Sequence, residues 1–304
     1  VSTEALQRSQ QQTAYLTRQA FYQLLSAQEL LQVANDSLTV AQTQLKLAQA
    51  TVAAGTAAPL DVKQAQAVLA NAVVNKLRAE NGVAVARATL AVQLGLSAGT
   101  PIDIVPPKEL PTPPTAEDAL VKQALAQRPE LAQLNFQREQ VRGNMQLTRL
   151  EQLPIVSVQG SYGQTISGGN PLASEGLTAT GALQLNLANG GRTRAELEAL
   201  RVQLAELDTN ARQIELGITL DVRQALLNLR NALDQLTAAQ QQLDAANEAL
   251  RISQIRYEAG EGILLEVQQA QLAQTQARTS LEQARFQARI AAAQLDFALG
   301  NPTK

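Results

Sequence analysis

Arg256 to Gln271 reads RYEAGEGILLEVQQAQ, and 205 residues earlier Thr51 to Gln66 reads TVAAGTAAPLDVKQAQ. Aligned without a gap, Gly260 falls on Gly55, Leu265 on Leu60, Glu266 on Asp61, Val267 on Val62 and Gln269-Ala270-Gln271 on Gln64-Ala65-Gln66. In each copy a long helical pattern runs into Ala-Gly, and a second leaves from the acid-Val pair. Glycine just past the last periodic residue stops a helix, because it takes a left-handed backbone without a Cβ clash. Pro59 suits the first turn of the outgoing helix, where a missing N–H costs nothing. Each copy predicts the tip of a helical hairpin, and the chain has two.

The sequence on either side of the tips agrees. Leu24, Leu31, Leu38, Leu45 and Val52 recur every seven residues, with Ala27, Ala34, Ala41 and Ala48 three positions after each Leu. The second copy has Leu229, Leu236, Leu243, Leu250 and Tyr257 alternating with Ala232, Ala239, Ala246, Ser253 and Gly260. The return segments carry Ala65, Ala72, Ala79 and Ala86, and Ala270, Ala277, Ala284, Ala291 and Ala298. High helix propensity accounts for alanine in general, but not for alanine in heptad phase. A strict seven-residue repeat specifies a left-handed coiled coil, and small seam residues let antiparallel helices approach to about 8 Å. The match extends from Arg18-Gln19-Ala20 on Arg223-Gln224-Ala225 to Leu94-Gly95 on Leu299-Gly300, which marks an internal duplication.

Between the copies the composition changes. Residues 97–114 are Pro-rich (PIDIVPPKELPTPP within them) and cannot be helix. Thr115 with Asp118 predicts a capping box and a short helix to about Gln127, and Arg128-Pro129-Glu130-Leu131 restarts a helix to about Gln152. Ile155 to Gln164 then alternates, with Val156, Val158, Gly160 and Tyr162 on one face. Leu177 to Leu187 alternates more strictly, with Leu177, Ala179, Gly181, Leu183, Leu185 and Leu187 on one face. Each run has the length of a transmembrane β-strand, with one apolar face and one suited to a wet lumen. A soluble sheet with one buried face would give the same pattern. From Arg192 to Ala259 the sequence is helical again, on the order of 100 Å at ~1.5 Å per residue. The expected domains are a first hairpin over 1–96, a linker with two helices over 97–153, a β-hairpin over 154–190 and a second hairpin over 191–304.

Composition narrows the chemistry. The chain is 45% hydrophobic but 3% aromatic, with net charge −2, so no basic field recruits nucleic acid. It has neither cysteine nor histidine, which removes disulfides, thiol nucleophiles, Cys/His metal sites and Ser-His-Asp chemistry. No catalytic constellation, metal site or cofactor motif stands out, and the acids scatter over helix faces. No signal peptide or run of 18 apolar residues is present. The opening on Val1, already in helix-like sequence, suggests a processed or truncated N-terminus. Leu207, Ile214, Ile218, Val222 and Leu226 are expected to need cover from further helices, and a two-stranded sheet is unstable alone. A closed oligomeric ring would meet both demands.

The chain resembles the TolC-like outer-membrane channels of bacterial efflux and type I secretion systems. The resemblance rests on the duplicated A-G-x4-L-[DE]-V tips, the R-P-E-L helix start, the L-P-x-V-x-V-x-G-x-Y-G strand opening and L-x-L-x-x-G-G-R before the longest helix. It implies a mainly α fold with a β-hairpin. Three copies would form an α-helical barrel crossing the periplasm, with strands contributing to a 12-stranded barrel in outer-membrane lipid. It implies docking of a periplasmic adaptor (membrane fusion protein) and an inner-membrane pump at the tips, through Gly55, Thr56, Ala57, Leu60, Gly260, Glu261, Gly262 and Leu265. It also implies a periplasmic gate in which Tyr257 and Asp61 help hold the end closed and Glu266 lines the constriction. Gln269 stands where the family has a second acid. Glu266 could equally be a first-turn acid favoured by the helix dipole. Two departures stand out. Only the second half has its strand pair, so a missing N-terminal segment is expected. The end LNLANGG also lacks the Pro-aromatic pair usual before Gly-Gly. A soluble periplasmic coiled-coil scaffold or adaptor is the alternative, although the biotinyl-like domain usual in adaptors is not seen.

Overall fold

The computed structural model describes residues 2–55, 57–107, 116–165, 174–185 and 189–301. Its elements in chain order are α1 (Ser2–Ala53), α2 (Pro59–Gln93), α3 (Glu117–Gln127), α4 (Pro129–Leu150), β1 (Ile155–Thr165), β2 (Ser174–Gln184), α5 (Arg192–Glu258) and α6 (Leu264–Leu299). They form two compact units. One holds Val1–Ala5 and Glu130–Leu216, the other Leu6–Pro129 and Gly217–Lys304.

In the larger unit the heptad seam is the packing seam. Ala20 and Leu24 of α1 are buried against Val83, Ala86 and Leu90 of α2, with Phe21, Ala27, Leu31, Ile102 and Ile104 packed around them. The duplicated pair repeats this: Ala239 of α5 meets Leu281 and Ala284 of α6, flanked by Leu236 and Leu243. The two pairs are joined through α1 and α6. Asp36 pairs with Arg278 at 2.9 Å, Arg18 with Asp296 at 3.2 Å, and Tyr15 stacks on Phe297 with ring centroids 5.2 Å apart. These contacts order the helices α2–α1–α6–α5.

One expectation is corrected here. Ile218, Val222 and Leu226 do not wait for other copies, since all three are buried within this chain. On the same stretch of α5, Arg223 pairs with Glu117 at 2.8 Å and Asp221 with Arg128 at 3.0 Å. Those pairs bring α3 and its junction with α4 against α5, a cover that periodicity could not reveal. Large apolar side chains remain exposed on the two outermost helices, Val74, Leu77, Val85 and Val92 on α2 and Leu220 and Leu227 on α5, and also on α1 (Leu16, Val40 and Leu47) and α6 (Leu265 and Leu272). At α3, Ala116 occupies the cap position and makes no side-chain cap bond; the expected cap residue Thr115 lies outside the described residues.

Among the described residues Arg128 is the most deeply buried charge of this unit. Its side chain is 4% exposed, and its Nε donates to the Ala298 carbonyl at 2.8 Å. Beside it, Gln11 Nε2 donates to the Gly300 carbonyl at 2.9 Å, and Gln123 Nε2 to Asn301 Oδ1 at 2.8 Å. Two carbonyls at the end of α6 are thus satisfied by side chains from α1 and the α3–α4 junction, while Gln123 of α3 holds the Asn301 side chain.

The smaller unit contains the β-hairpin. Leu134 and Val141 of α4 are buried, and Arg138 pairs with Asp208 of α5. β1 and β2 pair antiparallel, Val156 opposite Leu183, Val158 opposite Gly181, Gly160 opposite Ala179 and Tyr162 opposite Leu177. Residues directly opposite share a face, so this register places both predicted apolar faces on one side. β2 ends three residues sooner than the sequence suggests, at Gln184; Asn186 and Leu187 lie outside the described residues. Val158 and Leu177 are 81% and 82% exposed, so among the described residues nothing covers these side chains. Among the described residues, no helix is long and apolar enough to cross a membrane.

Candidate functional site: the helical tips

Each tip is built by the way a helix ends. After α5, Gly260 sits at φ +76°, its N–H donating to the Tyr257 carbonyl at 3.0 Å and that of Glu261 to the Arg256 carbonyl at 2.8 Å. This pair of bonds is the Schellman arrangement, which needs a left-handed residue at Gly260. The Gly262 N–H also donates to the Arg256 carbonyl, at 3.0 Å. A Cβ on Gly262 would lie 3.2 Å from the Tyr257 nitrogen and 3.3 Å from Arg256 Cβ. A side chain at Gly262 would press on this backbone, and a bulky one disturbs the turn itself. At the first tip Gly55 has φ +75° and donates to the Val52 carbonyl at 3.0 Å, and α2 starts at Pro59.

The predicted gate residues fall around these turns. Asp61 is in the first turn of α2 and Glu266 in the first turn of α6, both partly exposed. Tyr257 is half-buried near the end of α5. Among the described residues no hydrogen bond joins Tyr257 to Asp61. Of the docking residues, Gly55, Leu60, Gly260, Glu261 and Leu265 are exposed, and Ala57 and Gly262 are half-buried. Thr56 lies outside the described residues.

Sequence reasoning passed over Arg256. Its Nη1 lies 3.6 Å from Glu266 Oε2, and its Nη2 donates to the Glu261 carbonyl at 3.4 Å. A ten-residue separation across a turn matches no helix or strand period, so only the folded turn reveals the pair. A second unforeseen feature is a groove of about 290 Å³ between α1, α2 and α6, which Gln269 lines together with Gln44, Asn71, Asn75, Gln268 and Thr275. There Gln44 Nε2 donates to Gln271 Oε1. Gln269 therefore lines a groove in which amide and hydroxyl groups stand among apolar side chains such as Val68 and Leu272. Farther along α6, burial raises the Glu282 carboxyl above its ordinary range, with Arg285 pulling the other way. The folded form binds that proton more tightly, so this stabilisation is full at acid pH and fades as pH rises through the raised value.

The chain is similar to known proteins. The model of a family described as "Outer membrane efflux protein" matches residues 1–96 and 120–301. This chain belongs to that family. Among curated members of similar sequence, the pyoverdine export outer membrane protein OpmQ of Pseudomonas aeruginosa is 28% identical over 282 residues, covering 89% of this chain and 58% of that relative. The chain thus spans little more than half the length of the relatives it matches. Among solved structures, the outer membrane channel MtrE of Neisseria gonorrhoeae in its open state superposes with a TM-score of 0.79 at 19% identity, over 100% of this chain and 69% of that one. CusC superposes with a TM-score of 0.82 at 20% identity, over 98% and 70%. The fold is the mainly α, hairpin-bearing fold of the family's channels.

Proposed function

We propose that the chain builds the wall of an outer-membrane exit duct in a tripartite efflux or type I secretion system. Three copies associate, and the duct conducts passively, without catalysis. The observation that carries this reading is the pair of apolar edges on one helical layer. α2 at one edge and α5 at the other both expose large apolar side chains. Such different edges join head to tail, and a head-to-tail contact that closes makes a ring. In this scheme residues 1–96 and 191–304 are the two wall-forming hairpins, residues 97–153 the linker with its helices, and residues 154–190 a β-hairpin facing lipid. Asp61, Tyr257 and Glu266 form the gate, with Gln269 behind Glu266. A periplasmic adaptor docks at the tips and links the duct to an inner-membrane pump.

Assembly is tested by native mass measurement of the full-length protein in mild detergent. A trimer is expected, and a monodisperse monomer of full helicity would refute the duct and favour a coiled-coil scaffold. Docking is tested at Ala57 and Glu261 rather than Gly262, because Gly262 is packed against backbone. Ala57→Trp and Glu261→Trp should abolish export while leaving trimer and conductance unchanged. Export at wild-type level in both would place the adaptor elsewhere.

A further inference from the structure

We infer that Arg256 sets the effective charge of Glu266 and thereby limits the cation preference of the second tip. The inference rests on the reading above that Glu266 lines the pore. Arg256 is held to its task by the turn. Its carbonyl accepts the N–H groups of both Glu261 and Gly262, and its Cβ lies against the space where a Gly262 side chain would stand. From that anchored start the guanidinium reaches Glu266 Oε2 at 3.6 Å and the Glu261 carbonyl at 3.4 Å.

Among the described residues the first tip has no such partner. Thr51 stands at the position matching Arg256, and its hydroxyl turns back to the carbonyls of Leu47 and Ala48, each at 3.1 Å. Among the described residues no ion pair reaches Asp61. The two acids align in sequence and differ in surroundings. One is a carboxylate beside a guanidinium, the other a carboxylate alone. A lone charge acts over distance as 1/r, whereas an opposed pair largely cancels beyond its own length. In a threefold assembly the Glu266 ring is then nearly neutral, and the Asp61 ring carries the field that attracts cations. Duplication supplied two acids, and a single arginine made them unequal.

The experiment is single-channel recording of the full-length protein in planar bilayers under a KCl gradient, with hexaamminecobalt(III) as a multivalent blocker. Arg256→Gln should raise the cation-to-anion permeability ratio about twofold near 0.1 M salt and strengthen block. The gain should vanish near 1 M, where screening shortens to about 3 Å. Arg256→Lys should stay close to wild type. In a Glu266→Gln background, Arg256→Gln should change nothing further. Arg256→Thr, which installs the residue of the first tip, serves if the glutamine variant does not assemble. Unchanged selectivity in the charge-removing variants, while Glu266→Gln alone lowers it, overturns the role of Arg256 and leaves the pore-lining reading standing. Unchanged selectivity in Glu266→Gln overturns both. An effect of Arg256→Gln that persists without Glu266 shows that the arginine acts on ions directly, and also overturns the inference.

Discussion

Arg128→Met costs the folded chain about 2–4 kcal/mol and lowers its thermal midpoint by roughly 5 °C. The side chain is buried, donates to the Ala298 carbonyl and pairs with Asp221. Methionine fills most of the space but leaves that carbonyl, at a buried residue, without a donor, which costs about 1–3 kcal/mol. It also removes a cation from the negative end of α6, worth about 0.3–1 kcal/mol. Arg128→Lys keeps the charge but cannot reach carbonyl and carboxylate with one rigid fork, so it should recover only part of the loss. Asp221→Asn should cost under about 1 kcal/mol, because that carboxylate is half in water. Thermal unfolding followed by helical circular dichroism orders the three variants. A Met variant within one degree of wild type would show that the buried guanidinium contributes little.

Val158→Arg should remove the protein from the outer membrane. Val158 lies opposite Gly181 on the apolar face of the β-hairpin and is exposed in the single chain. If that face meets hydrocarbon, arginine near the midplane costs about 2–4 kcal/mol per copy, and three copies multiply it. Gln159, the next residue, lies on the other face opposite Thr180. Gln159→Arg should insert normally and alter only conductance. Outer-membrane fractionation and trimer resistance to detergent separate the cases. Equal insertion of both variants would mean that the apolar face is not the lipid face.

The seam could be read in sequence because Leu and Ala at seven-residue spacing put one face of each helix against the next, whatever the surroundings. The shared face of the strands was legible for the same reason, since period two assigns sides without knowledge of the partner. Ile218, Val222 and Leu226 were misassigned because a period identifies the buried face but not what buries it. Arg256 with Glu266, and Gln44 with Gln271, could not be read at all. Their proximity is created by turns and by packing between residues far apart in the chain. Arg128 lay in a recognised motif, yet its partners Ala298 and Asp221 sit 170 and 93 residues away.

The left-handed glycines constrain how this protein can change length. Gly55 and Gly95 bracket the first return helix, Gly260 and Gly300 the second, and all four have positive φ. Both intervals contain the same number of residues, so the glycines act as a ruler applied twice. One residue inserted into α2 alone would turn everything beyond it by about 100° and advance it by ~1.5 Å, taking its alanines out of the seam. Seven residues would preserve the face but carry one tip about 10 Å past its twin. Insertions and deletions should therefore survive only when both halves acquire them together, which keeps the two copies in step long after their surface residues have diverged.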